Sequence, residues 1–131
     1  MHNEDENPTP TGQLMLQALT MPSDTNPSGD IYGGWLMTKM DLAGSIKAQA
    51  IAAGRVTTVA VGSMVFLRPI PVGSNVGFFV EVEEVGRSSI RTLVEAWVID
   101  PEGDEPLKVT EGEFVFVAID GNGRTRPIQK P

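Results

Sequence analysis

The chain has 131 residues, 40% of them hydrophobic and 21% charged, with a formal net charge of −7, which suits one domain with a core of its own. The acidic balance argues against nonspecific nucleic-acid binding, which needs a basic face, and no apolar run is long enough to span a bilayer. Cysteine is absent and the single histidine is His2, so thiolate chemistry, Cys-based metal sites and Ser-His-Asp catalysis have no residues to work with.

In chain order, residues 1–10, "MHNEDENPTP", form an acidic polar tail unlike a signal peptide, which makes a cytoplasmic location the expectation. "QLMLQALT" is a short strand. Residues 22–32 are rich in Asp, Thr, Asn, Pro, Ser and Gly, the loop formers. A long helix is expected from Gly34 to Ala53, ending at Gly54. The period then switches to strands. "VTTVAVGSMVFL" is closed by the prolines of "RPIPVGSN", and "VGFFVEVEEV" meets "SSIRTLVEAWVI" through the hairpin signal "GRS". After the turn "DPEGDEP", "LKVTEGEFVFVAI" is the last long strand. The divisions are a tail at 1–10, one domain at 11–121 and a Gly/Pro-rich tail at 122–131. One helix and a run of antiparallel strands make an α+β fold in which the helix covers one sheet face.

That helix carries the functional signal. Trp35, Leu36, Met40, Ala43, Ile46, Ala50 and Ile51 cover most of its circumference, so it must be wrapped by its own sheet or buried by a partner. Asp41 nevertheless stands among Met37, Gly44, Ala48 and Ala52. It is either a structural carboxylate held by an amide or a lysine, or a reactive one. Three features favour the second: small neighbours that leave space beside it, a polar loop bearing Asp24, Asn26 and Asp30, and a helix start at Gly33-Gly34. Bare N–H groups at the positive end of a helix can stabilise an oxyanion. A carboxylate near two such amides fits acyl transfer.

"DTNPSGDIYGGWLMTKMDLAG" followed by "GRVTTVAVGSMVFLRPIPVG" resembles the hotdog-fold acyl-CoA thioesterases of the YciA/ACOT type, over about residues 13–127. The resemblance implies a long central helix wrapped by a curved antiparallel sheet, and hydrolysis of acyl-CoA to a free acid and CoA. It also implies active sites between the subunits of a dimer, often assembled into a hexamer as a trimer of dimers. It assigns Asp41 to attack on the thioester as base or nucleophile, with Asn26 arriving from the opposite subunit and Gly33 and Gly34 at the helix start. No cofactor is implied, CoA being part of the substrate.

Candidates for anchoring CoA are Arg68 and the turn Gly86, Arg87, Ser88 and Ser89, with Arg91 and Lys108 better explained by pairing with Glu81, Glu83, Glu95, Glu111 and Glu113 across strands. Two rival functions remain open. An acyl-thioester dehydratase of the same fold generally uses a histidine, which this chain offers only at His2. A non-catalytic acyl-CoA-binding module would not need both Asn26 and Asp41. Neither nucleic acid nor membrane is an expected partner.

Overall fold

A computed structural model describes residues 9–99, 102–103 and 105–129. His2, most of the expected N-terminal tail and part of the "DPEGDEP" turn lie outside the described residues. Strand β1 spans Gln13–Leu19, helix α1 Gly33–Ala52, β2 Val56–Val61, β3 Asn75–Val85, β4 Ser89–Val98 and β5 Leu107–Ala118. The five strands form one sheet in the order β1-β3-β4-β5-β2, with every neighbouring pair antiparallel. This is the expected single helix on a single sheet.

Strand alternation sets the two faces. Ile90, Thr92, Val94 and Ala96 of β4 point inward and are fully buried, as are Val76 and Phe78 of β3 and Phe116 and Ala118 of β5. Thr92 satisfies its hydroxyl by donating to the Phe114 carbonyl at 2.9 Å. Each of the four ladders contains a register shift: between Leu14 and Leu16, Thr58 and Ala60, Val82 and Glu84, and Ala96 and Trp97. Such bulges bend the strand and increase its twist, so the sheet curls around the helix.

The helix meets this concave face through Leu36, Met40, Ala43, Gly44, Ala48 and Ala52. Its small residues permit a close approach. A Cβ at Gly44 would stand 2.8 Å from the Phe116 ring, so any larger residue there would push helix and sheet apart. The opposite flank stays open, with Met37, Leu42 and Ile46 each about two-fifths exposed or more. One chain therefore buries only part of the helix's apolar circumference.

Three boundaries differ from the sequence reading. The helix stops at Ala52, and Ala53, not a glycine, takes the left-handed conformation (φ 54°). Gly54 serves a different purpose, because a Cβ there would lie 2.7 Å from Arg126 Nη2. That guanidinium donates to the carbonyls of Ala52 (2.8 Å) and Ile119 (3.1 Å), capping the negative end of the helix. The expected strand "VTTVAVGSMVFL" ends at Val61. Residues 62–74 leave the ladder geometry, though Gly62 and Leu67 still donate to Glu113 and Val109 of β5, and Val65, Phe66 and Leu67 turn outward. The expected C-terminal tail also packs back on the body: Ile128 is buried and donates its N–H to the Arg87 carbonyl at 2.7 Å.

Candidate active site

Asp41 lies half-buried in the middle of α1. Strand β2 returns antiparallel to the helix after the Gly54 turn, which brings Thr58 alongside. Its hydroxyl donates to Asp41 Oδ1 at 2.6 Å, a short charge-assisted bond. No other hydrogen bond to this carboxylate is present among the described residues, so Oδ2 is available. Sequence reasoning missed Thr58. The "VTTVAV" run looks like an ordinary strand, and only the register decides which threonine meets the helix. The expected open space beside Asp41 is not supplied by Gly44, Ala48 and Ala52, because all three are buried in the helix–sheet contact.

Gly33 and Gly34 are the first two residues of the helix, preceded by Tyr32 without any side-chain cap. Their N–H groups meet no acceptor among the described residues, as expected of the first turn. The two glycines have different surroundings. A Cβ on Gly33 would sit 3.3 Å from the Phe66 ring, whereas nothing lies within 4 Å of one on Gly34. Asp41 is about two turns further along the same helix, roughly 11 Å away at 1.5 Å of rise per residue. Within one chain, the carboxylate and the bare amides are too far apart to flank a single carbonyl group. The sequence reading placed them near one another; the helix keeps them apart.

Asn26 organises its own loop. Its side-chain oxygen accepts from the N–H groups of Ser28 (2.9 Å) and Asp30 (3.1 Å), and its backbone N–H donates to the Asp30 carbonyl. A further tie runs from Tyr32 N–H to the Asp24 carbonyl at 3.1 Å, which fixes the loop to the helix start. The side-chain amide nitrogen of Asn26 makes no hydrogen bond among the described residues, and no hydrogen bond joins Asn26 to Asp41.

Two hollows flank the helix start. One of about 320 Å³ is lined by Ile31, Leu36, Phe66 and Ile70, with Gly33, Asp30 and Arg68 also on its wall. The other, about 570 Å³, lies against Gly34, Tyr32 and Trp35 with the polar side chains of Ser23, Asp24, Thr38 and Lys39. Arg68 is exposed and its side chain makes no ion pair or hydrogen bond among the described residues.

The Gly86–Ser89 turn closes the β3–β4 hairpin, with Gly86 N–H donating to the Ser89 carbonyl at 2.8 Å. Ala118 N–H donates to the Ser88 carbonyl, so the turn sits where β5 ends, near the C-terminal end of the helix. It is thus at the other end of the helix from Gly33. The Arg87 side chain is exposed and unpaired among the described residues. Arg91 and Lys108 are committed elsewhere: Arg91 pairs with Glu84 at 3.1 Å, a partner outside the expected set, and lies 4.0 Å from the expected Glu113, while Lys108 pairs with the expected Glu95 at 3.3 Å and with Glu111. Glu95 is buried on the outer sheet face. Desolvation pushes its pKa up, but bonds from the Thr11 amide and Trp97 indole, with the Lys108 charge, bring it below 4.5.

A family model described as the Thioesterase superfamily matches residues 28–103. An uncharacterized acyl-CoA thioester hydrolase of Haemophilus influenzae is 52% identical over 123 residues, 91% of this chain and 79% of that protein. The acyl-CoA thioester hydrolase YciA of Salmonella typhimurium is 47% identical over 124 residues, 92% of each. Among solved structures, a hexameric broad specificity acyl-coenzyme A thioesterase superposes with a TM-score of 0.89 at 48% identity, covering 96% of this chain and 87% of that one. An acyl-CoA hydrolase of Staphylococcus aureus superposes with a TM-score of 0.81 at 27% identity, covering 86% of this chain and 69% of that one. It has also been solved with an asparagine, an aspartate or a threonine changed to alanine. Those three positions are spaced along that chain as Asn26, Asp41 and Thr58 are along this one.

Proposed function

This chain belongs to the Thioesterase superfamily and is a hotdog-fold acyl-CoA thioester hydrolase, and we propose that each of its active sites is assembled from two copies of the chain. Asp41 and Thr58 come from one copy; Gly33, Gly34 and Asn26 come from the other. The observation that carries this reading is the two-turn separation of Asp41 from the bare amides of its own helix. Two helices lying antiparallel would bring the start of one beside the middle of the other. The Gly86–Ser89 turn also belongs at the Asp41 end of such a site. CoA phosphates held there by Arg87 and the Ser88 and Ser89 hydroxyls would place the thioester at the partner's helix start. Arg68, exposed beside Gly33, is a second candidate for the nucleotide.

Thr58 holds Oδ1 of Asp41, leaving Oδ2 to face the thioester, as base toward a water or as the attacking oxygen itself. In the first route water adds to the carbonyl carbon and its proton passes to Asp41. In the second an acyl-aspartyl anhydride forms and water then cleaves it. Both routes break the carbon–sulfur bond, release CoA as its thiolate and yield the free acid. The negative charge on the carbonyl oxygen is met by the Gly33 and Gly34 amides at the positive end of the helix. The Asn26 side-chain amide adds a donor or orients the water. No cofactor enters this chemistry, because CoA is part of the substrate.

Assembly supports the composite site. Strand β2 is a sheet edge with Val59 and Val61 exposed, beside the open helix flank of Met37, Leu42 and Ile46. Pairing two such edges would extend the sheet and cover both helices, giving a dimer; the hexamer of the structural relatives is the larger assembly proposed here. No described helix is long and apolar enough to cross a membrane. The test is Asp41→Asn, nearly isosteric, with assembly checked by light scattering. We expect kcat on an acyl-CoA to fall roughly a hundredfold or more, the scale of a lost general base. Wild-type turnover from an intact assembly would make Asp41 structural.

A further inference from the structure

We infer that the hollow beside Gly33 receives the acyl chain of the substrate, and that Phe66 sets the chain length it accepts. This rests on the placement of the thioester carbonyl at the helix start. A carbonyl held by the Gly33 and Gly34 amides has two hollows within reach, and their chemistry differs. The one against Gly34 carries Ser23, Asp24, Thr38 and Lys39, side chains that would be desolvated at a cost by a hydrocarbon. The one against Gly33 also carries two charged residues, Asp30 and Arg68, but most of its wall is apolar, from Ile31, Leu36, Phe66, Leu67 and Ile70, and burying a methylene against such side chains gains about 0.8 kcal/mol. Its volume of about 320 Å³ is at the small end of ligand cavities, which run from about 300 to 1,000 Å³. That is room for an acyl chain and not for a whole acyl-CoA.

The walls differ in how far they can give. Ile31, Leu36 and Ile70 are nearly or fully buried, and Ile31 N–H donates to the Ile70 carbonyl at 3.3 Å, tying two walls together. Leu67 N–H is anchored to Val109 of β5 at 2.7 Å. Phe66 and Leu67 are the large apolar walls that stay exposed, at 44% and 56%, and of the two it is the Phe66 ring that lies over Gly33, 3.3 Å from where a Cβ would stand. It is the wall that can swing, or be resized, without disturbing the core. The glycine at 33 then has a second purpose: it lets the ring close over the carbonyl site.

The experiment measures kcat/KM for straight-chain acyl-CoAs from acetyl to palmitoyl on the wild-type assembly and on Phe66→Ala and Phe66→Trp, with particle size followed by light scattering. Phe66→Ala should raise the ratio of long-chain to short-chain kcat/KM by about tenfold or more, the effect of one or two methylenes in an apolar pocket. Phe66→Trp should move the ratio the other way. Chain-length profiles parallel to wild type in both variants would overturn the inference while leaving the hydrolase reading intact. Loss of assembly in Phe66→Ala would overturn it as well, because the ring would then belong to a contact between copies. A wild-type protein inactive on the whole series would sink the hydrolase reading and this one with it.

Discussion

In the proposed site, Gly34 serves the reaction more than the fold. It has an ordinary helical backbone, and a Cβ there would meet nothing within 4 Å, so the chain carries a glycine where alanine would suit the helix better. Gly34→Ala should therefore raise thermal stability slightly, by up to about 1 kcal/mol, while lowering kcat/KM because the methyl group stands where the carbonyl must approach. A variant less stable and fully active would refute this. Thr58→Val makes a complementary test. It removes one hydrogen bond from a half-buried carboxylate, and kcat should drop by about tenfold, in keeping with roughly 1.5 kcal/mol for a charge-assisted bond, with KM little changed. Equal rises in KM and no change in kcat would make the bond a matter of substrate binding. Asp41 stood out in the sequence as a candidate because a carboxylate on an apolar helix needs a reason. Thr58 did not, since Thr57 and Thr58 look alike in the sequence and only the packing of β2 against the helix shows that Thr58 is the one that meets Asp41. Gly44 was misread for a related cause: a small residue signals either a space or a close contact, and Phe116 makes it a contact.

On the outer face of the sheet, strands β3, β4 and β5 carry two carboxylates whose pH responses run in opposite directions. Glu83 has its pKa raised above 4.5, first by desolvation and then by the Glu113 carboxyl with which it shares a hydrogen bond. The folded form thus loses stability as pH rises from the unfolded value through the folded one, and the pair is unfavourable at neutral pH. Glu95 is held below 4.5 despite burial, so its contribution is present above the unfolded value and is lost as pH falls through the folded one. Glu83→Gln should raise the Tm at pH 7 and do little at pH 3. Glu95→Gln should lower the Tm at pH 7, with a deficit that shrinks toward pH 3. Parallel shifts at both pH values, followed by calorimetry, would show that neither effect is electrostatic. Pairing of Arg91 and Lys108 with glutamates was legible from the acidic residues on β3, β4 and β5, but the actual partner Glu84 was not, because the register shift between Val82 and Glu84 is what sets it opposite Arg91. Residues 62–67 were misleading, since a run of Val, Met, Phe and Leu has strand composition whether or not it is paired.

At the scale of the whole molecule, the order of one strand, one long helix and four further strands was readable from hydrophobic period and turn residues. The unfinished burial of the helix was also readable. What the sequence reading overlooked was the distance between functional groups on one helix, although seven or eight residues at about 1.5 Å of rise already set Gly33 and Gly34 two turns from Asp41. That spacing has a consequence best put in the terms of genetics. If every site takes its aspartate from one chain and its asparagine from another, Asp41→Asn and Asn26→Ala are lesions that complement. Each variant alone is impaired in all its sites. Refolded together in equal amounts, the two should pair at random, and half of the dimers will be mixed. A mixed dimer has one site with both lesions and one with neither, so about a quarter of the wild-type activity should return. A chain that kept both halves of its site to itself would recover nothing, and two inactive preparations would stay inactive when combined.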